Sequence, residues 1–392
     1  MPLTASAHSP CLFLSACEAS GDLHGARLMG AIRAVRSDCR FIGIGGDRMI
    51  DEGLEAVFHA RELGVMGITD VLGRLGTVRR AFSRAIGALQ GNCGKVDQAV
   101  LIDSASFHLR LAAHAKAAGV PVTCFIAPKV WASRAGRMKV IRQVVDQMLV
   151  ILPFEEPLFR SAGVPVAYVG NPLVDEQAEE LAQAPTGGWK PSDFGLEDGR
   201  PTVALLPGSR AGEVHYILPG LLETAREVRR RLPDSQFLLP VAASVDSPEL
   251  RARVAAAGAP VTVVAGQAVA VLNAADVAAI ASGTATLQAA LAGTPGAIVY
   301  RVSRLTWMIA RPLVRLPYVG LPNLVAEREV MPELLQNDFI PSRVADYLCG
   351  LLSRPEALAE ARANLAGVAR SMGESGASER VAGLVLRRLE AA

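Results

Sequence analysis

The stretch Cys11-Leu-Phe-Leu-Ser-Ala-Cys-Glu-Ala-Ser-Gly-Asp22 decides the fold. Its first six residues form a run rich in apolar side chains, the right length for one strand. Glu18 to Asp22 supply a turn with one glycine, and apolar residues then recur at three- and four-residue spacing over 22–35, which predicts a helix. Strand, turn and helix in that order are the first part of a βαβ unit. So apolar a strand predicts burial on both faces, hence a parallel sheet with helices on each side.

The same texture recurs. Strands are predicted at 11–16, 41–44, 99–103, 120–126, 147–152 and 166–169, with helices such as 22–35 and 107–118 between them. The stretch 175–200 changes character, with acidic residues followed by Pro185, Gly187, Gly188 and Pro191, as a linker does. A second βαβ series follows, with strands at 202–206, 236–241, 261–265, 277–281 and 297–302. Helices rich in Ala, Leu, Arg and Glu close the chain at 341–352, 355–371 and 378–389. The division expected is a first domain over 1–178, a second over 200–345, and terminal helices over 346–392 that can fold back on the first domain. Two doubly wound domains without GxGxxG after the first strand predict a ligand held in a cleft between domains rather than a dinucleotide site.

Composition bounds the function. With 392 residues, 51% of them hydrophobic and 20% charged, the chain can build two cores. Its 40 basic and 38 acidic residues nearly cancel, which excludes a broad field for nucleic acid and makes any anion site local. The six Cys include no CxxC pair and the six His no HxH or HExxH pattern, so neither a disulfide framework nor a zinc site is expected, and the reading is cytoplasmic. Between Val254 and Tyr300 the only charge is Asp276, but Gly and Pro cut this apolar stretch into strand- and helix-sized pieces, so it reads as buried core.

Several turns carry chemistry. Glu18 is an ionisable residue at a strand's carboxyl end, where open α/β sheets place ligands, and Ser20 or Asp22 can cap the helix while Gly21 allows close backbone approach. Asp103 ends the run Val100-Leu-Ile102 at the same edge, either as a general base or as a cap for the following helix. In the second half, Pro207-Gly208-Ser209-Arg210 can bring backbone amides and a guanidinium to a phosphate, and Ser282-Gly283-Thr284 repeats the arrangement after another strand. Neither turn matches GxxxxGK[ST]. The apolar run Val65 to Leu75, followed by Val78, Arg79 and Arg80, reads as a core helix or as an interfacial patch on anionic lipid.

Taken together, the motifs resemble those of the lipid-A-disaccharide synthase family, from Leu12 to about Leu389. The resemblance rests on Glu18-Ala-Ser-Gly-Asp-Leu-His-Gly25, Gly43-Ile-Gly-Gly-Asp-Arg-Met49, Val65-Met-Gly-Ile68 with Val71-Leu-Gly-Arg-Leu75, Ile102-Asp103 and Val130-Trp131. It continues through Leu152-Pro-Phe-Glu155, Leu206-Pro-Gly-Ser-Arg210 with Glu213, Ala281-Ser-Gly-Thr-Ala-Thr-Leu287, Leu321-Pro-Asn-Leu324, and Arg328-Glu-Val330 with Pro332-Glu-Leu-Leu-Gln336. It implies a GT-B fold of two Rossmann-like domains. It implies inverting transfer of a 2,3-diacylglucosamine unit from its UDP ester to the 6-hydroxyl of 2,3-diacylglucosamine 1-phosphate, without cofactor or metal. The implied partners are these two acylated sugars and the cytoplasmic face of the inner membrane, with a homodimer left open.

Residue by residue, the resemblance implies Asp103 as the base and Arg210 as the cation on the leaving UDP. Glu18, Ser20 and Gly21 fall on the acceptor side. Gly208, Ser209, Glu213, Ser282, Gly283, Thr284, Gln288, Asn323 and Gln336 fall around the UDP-sugar, and Val71, Leu72, Leu75 and Val78 at the membrane. The chain departs from the family's usual pattern at Ser106, His108, Lys129, Ser133, Asn171, Gln288 and Glu327. Two other readings stand beside this one: a paralogue using another UDP-sugar, and a non-catalytic nucleotide-sugar or lipid binding protein.

Overall fold

A computed structural model describes residues 9–64, 75–133, 136–310 and 316–391. The predicted strand at Cys11–Ala16, β1, is buried at all six positions. Alternation sends Leu12, Leu14 and Ala16 into one apolar layer and Cys11 and Phe13 into the other. Helices therefore cover both faces of its sheet, as the near-absence of polar residues requires.

That sheet continues through β2 (Arg40–Gly45), β3 (Glu55–His59), β4 (Gln98–Ile102), β5 (Val122–Phe125), β6 (Gln147–Val150) and β7 (Val166–Tyr168). All its pairs are parallel and the order is β3-β2-β1-β4-β5-β6-β7. The second sheet holds β8 (Thr202–Leu206), β9 (Gln236–Val241), β10 (Val261–Ala265), β11 (Val277–Ala281), β12 (Gly296–Tyr300) and β13 (Glu333–Leu335). It is also parallel, in the order β10-β9-β8-β11-β12-β13. In both sheets the order reverses beside the first strand, between β1 and β4 and between β8 and β11. These are the points where ligands gather in open α/β sheets.

The chain divides into two compact units, Met1–Pro172 with Glu374–Ala392, and Leu173–Gly373. The terminal helices do not act as one block, as the grouping over 346–392 would have them. The helices Pro341–Leu352 and Pro355–Ser371 pack within the second unit, against Ala211–Arg231 and Thr284–Ala292 respectively. Only the helix Ala377–Glu390 joins the first unit, where it lies on Ala19–Val35. It buries Val381, Ala382, Val385 and Leu386 among Leu28, Met29 and Ile32. Each such Val or Leu contributes roughly 1.5 to 3 kcal/mol. Arg380 fixes its start by donating from Nε to the Val169 carbonyl at 2.8 Å and from Nη2 to the Glu374 carbonyl at 2.6 Å.

Candidate active site

In the first unit, β1 and β4 end level, Ala16 beside Ile102. Glu18 follows β1 and is exposed at the N-cap position of the helix Ala19–Val35, without a side-chain cap bond. The expected caps are corrected. The helix begins a turn earlier, with Asp22 N–H donating to the Glu18 carbonyl at 2.9 Å, so Ser20 lies inside the first turn, exposed. Asp22 is buried and faces another helix start: its carboxylate accepts from the backbone N–H of Gly46 (2.6 Å), Arg48 (3.1 Å) and Met49 (3.2 Å). An anion there meets the unsatisfied amides and the positive end of the helix Asp47–Asp51. Gly21 is buried, and a Cβ there would meet the Ala16 Cβ at 3.2 Å. That spacing gives it a part in close helix-to-strand packing.

Asp103 was expected to finish β4, but the strand stops at Ile102. Asp103 and Ser104 take left-handed backbone, with φ of 55° and 45°. For non-glycine residues this costs about 1 to 2 kcal/mol each, least for Asp and Asn. Backbone bonds hold part of the turn: Asp103 N–H donates to the Phe125 carbonyl (2.9 Å), and the Ser104 carbonyl accepts from Phe107 and His108 N–H (3.1 and 3.0 Å). The helix Ala105–Ala117 has Ser104 as N-cap with no side-chain cap bond, so Asp103 is not serving as its cap. Among the described residues the half-buried Asp103 carboxylate has no hydrogen bond or ion pair, leaving both oxygens for a proton or a ligand.

A second carboxylate lies beyond the neighbouring strands. Glu155 accepts from Trp131 Nε1 (3.0 Å) and from Leu152 N–H (3.2 Å), joining two motifs distant in sequence. Burial pushes its carboxyl up to about 7, against the lowering pull of those bonds. The folded protein thus keeps a proton on Glu155 at pH values where the unfolded chain has lost it. Stability falls as pH rises from the ordinary Glu range through about 7. The variant E155Q should lose that dependence. Urea unfolding at pH 5 and pH 8 should show the wild type losing on the order of 1 to 3 kcal/mol more than E155Q. Equal losses would place the proton elsewhere.

In the second unit, Gly208 follows β8 with φ of 99°, and a Cβ would come within 2.5 Å of Glu213 Oε2. Glu213 is the reason the turn closes: its Oε2 accepts from Ser209 and Arg210 N–H (3.2 and 3.3 Å) and its Oε1 from Arg210 Nη1 (3.2 Å). The amides expected to cradle a phosphate are thus already satisfied by the chain's own carboxylate. Arg210 remains 82% exposed, its guanidinium mostly in solvent.

The turn after β11 is different. Ser282 is anchored by its N–H to the Val299 carbonyl (3.0 Å) and by Oγ to the Val319 carbonyl (3.4 Å), while Gly283 and Thr284 are exposed. The helix Thr284–Ala292 has no side-chain cap; Thr286 N–H donates to the Gly283 carbonyl (3.1 Å), and the first amides of the helix face no side-chain acceptor among the described residues. Gln288 is half-buried one turn further along, on the face of Thr284.

Asn323 and Gln336 are not surface groups awaiting a ligand. Asn323 is fully buried: Nδ2 donates to the Met331 carbonyl and Glu333 Oε1 (both 2.8 Å), and Oδ1 accepts from Val330 and Met331 N–H (2.8 and 3.0 Å). Glu333 in turn accepts from Val319 and Gly320 N–H at 2.8 Å. Gln336, at φ of 52°, donates its backbone N–H to the Tyr300 carbonyl (2.7 Å) and pairs its amide with both backbone groups of Val302 (3.2 and 3.1 Å). Both residues brace the loops flanking β12 and β13.

A family profile described as Lipid-A-disaccharide synthetase matches residues 12–375. The lipid-A-disaccharide synthase of Geobacter sulfurreducens is 41% identical over 378 residues, covering 96% of this chain and 97% of the relative. The chain belongs to the lipid-A-disaccharide synthetase family. It is a glycosyltransferase of lipid A synthesis. Two solved structures share the architecture at lower identity. A UDP-GlcNAc 2-epimerase from Neisseria meningitidis, bound to UDP-GlcNAc, aligns with a TM-score of 0.60 and 12% identity over 96% of this chain and 99% of that one. The calicheamicin glycosyltransferase aligns at 0.60 and 14%, over 98% and 99%. The fold is GT-B, two parallel α/β sheets with a helical C-terminus.

Seen as a lipid-A-disaccharide synthetase, the chain uses its motifs in pairs. Asp22 of the first motif holds the Gly43 to Met49 segment, Glu213 closes the Gly208 turn, and Asn323 binds the Arg328 to Glu333 segment. Of the expected membrane contacts, Val71 and Leu72 lie outside the described residues, as does the Leu75 side chain. Val78 is half-buried against the first core on the helix Leu75–Leu89. Among the described residues no helix is long and apolar enough to cross a membrane.

Proposed function

We propose that the chain joins UDP-2,3-diacylglucosamine to 2,3-diacylglucosamine 1-phosphate, making the β-1,6-linked disaccharide 1-phosphate and UDP. The acceptor's 6-hydroxyl oxygen attacks C1 of the donor sugar, its proton passes to the Asp103 carboxylate, and the C1–O bond to the β-phosphate breaks with inversion. The leaving diphosphate gains charge, which the Ser282 to Thr284 turn and Arg210 balance. The observation that carries this reading is the unpartnered Asp103 carboxylate at the strand-order reversal, level with the exposed Glu18 turn. In the second unit, the open turn after β11 and the exposed Arg210 after the adjacent β8 support a diphosphate there.

Acylated substrates call for a reaction at the cytoplasmic face of the inner membrane, and the sequence run through Val71, Leu72, Leu75 and Val78, followed by the exposed Arg79 and Arg80, is the contact we assign. Leu305 and Met308, 66% and 69% exposed, support apolar contact in the second unit too. The test is release of UDP in mixed micelles holding either or both lipids. UDP should appear only when both are present; release from UDP-GlcNAc without the lipid acceptor would instead favour another sugar nucleotide.

A further inference from the structure

His108 has no part in the chemistry just described, yet it touches every strand end that carries it in the first unit. It is 2% exposed, three residues into the helix Ala105–Ala117, with Phe107 edge-on at 5.6 Å. Its Nδ1 lies 2.6 Å from the Asp103 carbonyl oxygen. A carbonyl can only accept, so Nδ1 carries the hydrogen. With burial lowering the ring to about 4, the imidazole is neutral and Nε2 is bare. Nε2 then accepts from the Ser15 hydroxyl at 2.9 Å, and the Cys17 thiol approaches it at 3.6 Å. Ser15 and Cys17 flank the end of β1, just before Glu18.

We propose that His108 is a positioning residue, which clamps the left-handed Asp103 turn to the end of β1 and so aims the Asp103 carboxylate and the Glu18 turn at one acceptor hydroxyl. The turn needs such a clamp. Two consecutive left-handed residues sit above the backbone minimum, and once the Nδ1 bond is lost Asp103 can relax toward the extended backbone of β4. That would turn the carboxylate away while leaving the sheet intact.

The proposal rests on Asp103 as the base, and the two can be separated. Asn places an amide nitrogen about where imidazole Nδ1 stands, whereas Gln places one at Nε2. H108N should therefore keep kcat near wild type. H108Q should lose on the order of a hundredfold in kcat, the size expected for a misaimed catalytic group, with KM for the UDP-sugar unchanged. A role in packing alone would treat the two variants alike, and equal kcat values would overturn the clamp. Should H108Q fail to fold, the 15N shifts of His108 in the wild-type enzyme decide: a protonated Nδ1 with bare Nε2 supports the clamp, and the reverse tautomer overturns it. An active D103N enzyme would refute the base itself; an inactive D103N beside an active H108Q would refute the clamp alone.

Discussion

The variant D103N should lose transfer by roughly a hundredfold to ten-thousandfold in kcat, the range of a lost general base. Asn is the informative replacement because it tolerates the left-handed backbone that Asp103 adopts, with φ of 55°. Ala would add strain to the turn and confuse loss of the base with loss of the fold. The Asp103 side chain makes no hydrogen bond among the described residues, so D103N removes a charge without stranding a buried partner. The melting temperature should not move, nor should UDP binding, which we assign to the second unit. Single-turnover formation of disaccharide is the measurement; wild-type rates would leave the acceptor hydroxyl without a base at this position.

Replacing Arg210 with Ala should have an effect of similar size for a different reason. In the proposed mechanism the guanidinium balances charge that grows on the leaving diphosphate, and losing one preorganised donor of this kind costs about a hundredfold to a thousandfold in kcat. Its 82% exposure and single ion pair with Glu213 mean that the fold barely depends on it, since exposed pairs contribute about 1 kcal/mol or less. Glu213 keeps its bonds to the backbone N–H groups at 209 and 210, and Arg210 sits at φ of −105°, which Ala adopts freely. R210K should recover part of the rate, because it restores the charge but not the planar fork. A kcat unchanged in R210A, measured at saturating lipid, would move leaving-group stabilisation elsewhere.

Sequence alone made most of this architecture legible where periodicity and turn chemistry agreed. β1, β8, β9, β10 and β11 lie where their apolar runs predict, and both strand-order reversals carry the turns picked out at Glu18, Asp103, Gly208 and Ser282. The strands that escaped notice were β3 and β13. Both lie at sheet edges, β3 with exposed Glu55 and Ala56 and β13 only three residues long, so neither needs the continuous apolar run that marks a central strand.

The bonds that the singled-out residues make were less legible than the turns that carry them. The amides of Asn323 and Gln336, expected around the UDP-sugar, brace loops, because buried polar groups must find partners and these found mostly backbone. Asp22 has the position of a local cap in sequence, yet its partners sit 24 to 27 residues away. His108 gives the clearest case. Its ties to Ser15 and Cys17 span 93 and 91 residues, and only the pairing of β1 with β4 brings them together.

The most direct test of the central claim is product analysis with UDP-2,3-diacylglucosamine and 2,3-diacylglucosamine 1-phosphate, wild type and D103N in parallel. The wild type should yield one β-1,6-linked disaccharide 1-phosphate and one UDP per turnover, with D103N yielding almost none. UDP release without disaccharide, or equal product from both enzymes, would contradict the account.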